Sequence, residues 1–154
     1  MKRILLGIFA LLIFQGCETM QSDDALRRQA MSEAIRAETP GDYFIGRRFY
    51  KQDYKFWGWV RQPGQPWSAS KLVMFNEQKV LAPDRQQGKI GADNDYEYRL
   101  SGYFSGEKVY EPASDTIYPE FVLTGCEVRS TSPPLIFAEK RSIDPAVRLL
   151  TPPM

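Results

Sequence analysis

The stretch from Tyr43 to Arg61 holds the side chains best equipped for recognition. Its eight aromatics (Tyr43, Phe44, Phe49, Tyr50, Tyr54, Phe56, Trp57 and Trp59) interleave with Arg47, Arg48, Lys51, Lys55 and Arg61, against only Asp42 and Asp53. Ring faces set among cations can stack on a base or sugar and hold an anion. Trp57, Trp59 and Arg61 alternate, so a strand presents all three on one face. With Arg47 on the preceding strand they are the candidate ligand-binding residues, and at least one of the two indoles is expected to be exposed. Phe56, Gly58 and Val60 take the other face, compact and apolar, as the inside of a small barrel requires. Ordinary strand packing produces the same mixture, because sheets favour aromatics and bases cover ring faces.

Elsewhere the chemistry thins out. The chain has no histidine, which removes the commonest metal ligand and the usual general acid–base near neutral pH. Asp93-Asn94-Asp95 with Glu97 opens like a calcium loop but lacks its sixth-position glycine and twelfth-position glutamate, so it reads as a polar turn. Glu111, Asp115 and Glu120 contain carboxylate pairs of the kind glycoside hydrolysis uses, but only their spacing in three dimensions decides that. Ser68-Ala69-Ser70-Lys71 matches a Ser-x-x-Lys string without its companion motifs, and it precedes a strand where such a nucleophile opens a helix. No catalytic residue, metal site or cofactor is assigned. The body reads as a binding or scaffolding module. A histidine-independent envelope hydrolase and a structural subunit of an outer-membrane assembly remain as alternatives.

The first residues point to a location. Met1-Lys2-Arg3 is a short basic start, and Ile4 to Phe14 is an apolar run of 11 residues. A bilayer-spanning helix needs about 20, so this is a secretory signal peptide and not a lasting span. The run closes on Phe14-Gln15-Gly16-Cys17, which resembles the lipobox of bacterial lipoproteins. Gly16 and Cys17 fit that pattern, whereas Phe14 and Gln15 stand where leucine and a small residue are usual. The resemblance implies cleavage before Cys17 and acylation of its thiol and amine with palmitate-type chains. The membrane is then the first partner, since two or three chains anchor stably where one does not. In the enteric pattern an aspartate after the cysteine keeps a lipoprotein in the inner membrane; Glu18 therefore favours the outer membrane. Beyond the membrane, an envelope glycan or protein is the expected partner. Lys2 and Arg3 leave with the leader, so the 20 basic residues fall to 18 against 19 acids, a net of −1. Such a body has no general pull on nucleic acid.

These features need elements to position them. The expected order is a signal peptide (1–16), a lipid-anchored tether (17–21), a helix (22–39), a β domain (42–129) and a Pro-rich C-terminal tail (130–154). Leu26, Ala30 and Ala34 recur at helical spacing after Ser22 as N-cap, and Thr39-Pro40-Gly41 ends the run. Strands are expected over Tyr43–Lys51, Lys55–Arg61, Ser70–Asn76, Asp95–Phe104, Glu107–Tyr110 and Ile117–Arg129. Ser105-Gly106 is read as a hairpin turn, and Asp144-Pro145 as the start of one helical turn. The fold class is mostly β: a small antiparallel barrel, loosely resembling an OB-like barrel over roughly 55–128, preceded by one helix.

Cys17 and Cys126 are the two cysteines of the chain. If lipid consumes the first, Cys126 has no partner within a monomer. Non-reducing electrophoresis of the purified mature protein should give a monomer, and a quantitative reductant-sensitive dimer would place Cys126 at an interface.

Overall fold

Alternation along the chain builds a closed barrel. The computed structural model describes residues 24–54, 57–148 and 150–154. The leader, the lipobox and Cys17 lie outside them, as does Phe56. A first compact unit carries helix α1 over residues 24–36, where Arg27 pairs with Asp24 at 2.8 Å one turn away. No helix among the described residues is long and apolar enough to cross a membrane.

The second unit, Glu38–Met154, holds strands β1 (Phe44–Arg48), β2 (Trp57–Arg61), β3 (Lys71–Asn76), β4 (Glu97–Glu111) and β5 (Thr116–Ser130). Helix α2 is a single turn, Pro83–Gln86, between β3 and β4. The strands close in the order β1-β2-β3-β5-β4, with β1 hydrogen-bonded to both β2 and β4. This is the small, mostly β barrel expected from the sequence, closed and five-stranded. One pair departs from the antiparallel expectation, because β3 runs parallel to β5 with Met74 beside Glu120.

Inside the barrel Val60, Val73, Phe75, Tyr98, Leu100, Phe121 and Leu123 form the core. Phe121 is its centre, taking the rings of Phe44, Phe75 and Phe104 edge-on at 5.1, 6.0 and 5.3 Å. The alternation of β4 holds, with Tyr98 and Leu100 fully buried while Arg99 and Ser101 face solvent. Gly58 leaves the room expected of it: a Cβ there would lie 2.2 Å from the Arg47 carbonyl oxygen and 2.9 Å from the Phe75 ring.

Two expectations need correction. Ser105-Gly106 does not end a strand. β4 runs through it as a bulge, with register shifting between Phe104 and Lys108 and Gly106 at φ +88°. A glycine at positive φ serves a bulge as well as a turn, so the dipeptide alone did not separate them. The hairpin turns at Pro112–Asp115, where the Glu111 carboxylate accepts the N–H groups of Ala113 and Ser114 at 3.0 and 2.7 Å. Asp144 closes a 3-10 turn at Lys140–Ile143 and does not begin a helix.

The C-terminal tail packs as a layer against the end of β1 and the 49–54 connection. Ile136 and Phe137 are buried, and Phe137 meets Phe49 at 5.0 Å. Arg47 donates to the Pro134 carbonyl, Lys51 to those of Ser142 and Asp144, and the Gln52 N–H to that of Pro145. A second core thus lies outside the barrel. Two substitutions should separate the layers in urea unfolding. Gly58→Ala overpacks the barrel and should cost about 1–3 kcal/mol. Phe137→Ala empties the outer layer and should cost about 3–5 kcal/mol. A Phe137→Ala protein as stable as wild type would mean that the tail is not part of the fold.

Candidate functional site

The four candidate binding residues do come together, but as interior. Trp57, Trp59 and Arg61 share the outward face of β2 beside Arg47, as the alternation requires. Trp57 is only 4% exposed and Trp59 9%, while Arg47 and Arg61 are also buried. Neither indole is substantially exposed, contrary to expectation. Trp57 stacks on Phe49 at 5.7 Å and meets Tyr54 edge-on at 6.3 Å. Arg61 forms a two-pronged pair with Glu38 at 2.6 and 2.7 Å and lies 4.5 Å over the Trp67 ring. Arg47 holds Asp95 at 2.8 Å. The segment is core, closed over by Phe49, Tyr54, Glu38 and Trp67. The indole N–H groups of Trp57 and Trp59 are buried without an acceptor among the described residues.

The other candidates disperse. Ser68 lies in the 3-10 turn Trp67–Ala69, while the Lys71 ammonium sits 5.0 Å over the Phe104 ring, so they form no dyad. Glu111 caps its turn, Asp115 accepts the Tyr110 hydroxyl, and Glu120 accepts the Asn76 amide at 2.9 Å. The Asp93–Asp95 stretch is a structural clamp. The Asn94 side chain accepts the Tyr50 N–H and donates to the Ile143 carbonyl. Asp95, at φ +66°, holds Arg47. No metal-binding group of three or more ligands occurs among the described residues.

A buried ionic cluster, invisible in the linear pattern, closes one end of the barrel. Arg48 points inward at the end of β1 and binds Asp84 at 2.7 Å, Glu77 at 3.0 Å and Asp93. All four are buried. The Tyr98 hydroxyl donates to Asp93 at 2.6 Å, the Ala82 N–H to Glu77 at 3.0 Å and the Gly91 N–H to Asp84 at 3.0 Å. Burial lowers the affinity of Arg48 for its proton, but Asp93, Glu77 and Asp84 together raise it further still. Burial pushes Asp84 up, yet the Gly91 N–H and Arg48 outweigh it and hold its carboxyl below the usual range. For Asp93 burial wins over Arg48 and Tyr98, the neighbouring Asp84 adds to it, and its carboxyl is raised. Burial also pushes the nearby Cys126 thiol up to about 12, so it is no nucleophile at neutral pH. The sequence signal was one of phase: Arg48 follows Phe44 and Gly46 on the inward side, where a cation must find acids.

Two recesses adjoin this cluster. One, lined by Arg48, Asp84, Asp93 and aromatics including Trp57, has a volume of about 30 Å³, too small for an organic ligand. The other is an open groove of about 640 Å³ between the end of β3, the 77–85 connection and the β4–β5 hairpin. Met74, Leu81 and Val109 supply its apolar lining, and Asn76, Lys79, Arg85 and Glu120 its polar lining. Comparison with known proteins adds no homology: no family model matches the chain, nor does any curated protein or solved structure.

The cluster predicts an inverted pH response. Arg48→Met leaves three buried carboxylates without their cation, which should cost about 3–5 kcal/mol at neutral pH. Those carboxyls then titrate above their unfolded values, so the folded state binds more protons and the variant gains stability as pH falls. Urea midpoints at pH 7.5 and 5 should therefore converge with wild type at the lower value. A deficit that stays constant or widens on acidification would mean that the Arg48 pairs are not what the cluster depends on.

Proposed function

We propose that this chain is a lipid-anchored protein of the bacterial cell envelope whose barrel binds or scaffolds a partner through the groove beside β3. The observation that carries this reading is the division of the barrel's outer face. The outward side chains of β1 and β2 are buried, Trp57 and Trp59 among them, whereas the β3 side keeps a recess of about 640 Å³. That volume falls in the range of ligand sites, roughly 300–1,000 Å³. The groove's exposed Leu81, and Tyr103 near its Lys79, are apolar surface of the kind found at docking sites. The anchor is supported by the Gly16-Cys17 junction after an apolar run too short to span, and Glu18 supports the outer membrane.

Two measurements test the two parts. Cys17→Ser should move the protein out of the membrane fraction or leave an uncleaved precursor, and mass spectrometry of the wild type should find diacylglycerol on Cys17. A mature wild-type protein that starts elsewhere without lipid ends the anchor reading. A photo-crosslinking residue placed at Leu81 or Val109 in cells should give a discrete adduct, and one at the exposed Lys140 should not. Equal labelling at all three positions would count against the groove.

A further inference from the structure

Resting on that reading, we infer that the groove takes an extended peptide segment of a partner protein, with an apolar side chain over Leu81 and an acidic one facing Lys79. The groove is an open trough and not an enclosed cavity, which suits a chain passing along it. Its apolar lining comes from three separate elements: Met74 of β3, Leu81 of the connection and Val109 of the hairpin. The lining is formed by packing and not by one mobile loop, because Glu77 and Asp84 pin the connection to Arg48 at 3.0 and 2.7 Å. Leu81 is 40% exposed at its edge, a large aliphatic side chain with one side uncovered.

The charges in the trough favour an acid. Lys79 hydrogen-bonds the Tyr103 hydroxyl at 3.2 Å and lies 5.3 Å over that ring. Lys79 lines the groove, and among the described residues it forms no salt bridge, so the Tyr103 ring holds the ammonium without neutralising it. Arg85 also lines the groove, 3.6 Å from Glu77. The acids of the lining have partners of their own: Glu77 in Arg48, Arg85 and the Ala82 N–H, and Glu120 in the Asn76 amide. A carboxylate entering near Lys79 therefore meets a cation that no acid of the described residues pairs, and the apolar lining selects against a small hydrophilic anion.

The test uses the full chain carrying Cys17→Ser as bait for a phage library of random 12-residue peptides, followed by anisotropy with the enriched peptides in fluorescent form. Enriched sequences should place Glu or Asp within a few positions of Leu, Ile, Met or Phe. Lys79→Glu and Leu81→Arg should each weaken binding by about tenfold or more, both at exposed positions where circular dichroism can confirm the fold. The decisive arm is the exchange: the same peptides with Lys replacing their acid should bind the Lys79→Glu protein better than the Lys79 protein. Failure to enrich any peptide, or peptides indifferent to both substitutions and to the exchange, overturns the inference. If crosslinking at Leu81 captures a glycan while no peptide binds, the peptide inference falls and the binding-module reading stands. If nothing crosslinks there, both fall.

Discussion

The inward-facing guanidinium of Arg48 is the constraint on which the rest of this domain depends. A small barrel needs apolar side chains inside, yet the last residue of β1 sends a cation to the end of that space. An unpaired buried charge is too costly to persist, so acids must be brought to it. They come from a long connection with little regular structure of its own: Glu77 just after β3, Asp84 on α2 and Asp93 before β4. The ion pairs hold that connection in place. They fix the path between the third and fourth strands, and with it one wall of the groove.

A second ionic belt organises the outer layer. Glu38 holds Arg61 and Arg129, Arg129 reaches Glu97, and Arg47 bridges Asp95 and the Pro134 carbonyl. Each arginine that sequence alone would put in solvent spans two or three elements. Burial pushes the Glu38 carboxyl up, but Arg61 and the Gly64 N–H overcome it and hold it below the usual range. Lys51 works in the same way on the tail, its ammonium buried between the Ser142 and Asp144 carbonyls. Burial drives its affinity for the proton down and Asp144 only partly restores it. Polar side chains that reach backbone carbonyls hold an irregular segment where no sheet ladder is available.

The barrel was legible because its signal is periodic: the two-residue alternation of β4, the apolar face of β3, and Gly58 opposite the tryptophans. What alternation cannot reveal is a second layer. Trp57 and Trp59 do point away from the barrel core, as their phase says, but outward means solvent only when nothing further covers the face. Behind Phe49, that cover includes a Ser/Pro-rich stretch whose apolar content, Ile136 and Phe137, is too brief to carry a period. The acids of the cluster were unreadable for a related reason. Their partner lies 29 to 45 residues away, and only the inward phase of Arg48 hinted that partners were required. Ser105-Gly106 shows the limit of local chemistry, since bulge and turn ask the same of a glycine.

The sequence distances spanned by these contacts have a consequence for how the chain comes into being. Lys51 meets the Asp144 carbonyl across 93 positions and Arg47 meets Pro134 across 87, so the beginning and end of the domain close on each other. A chain emerging N-terminus first, at about 5–20 residues per second from a ribosome, presents its tryptophan-bearing strand long before the tail exists. For several seconds the aromatic face of β1 and β2 is bare, and completion of the fold waits on the last twenty residues.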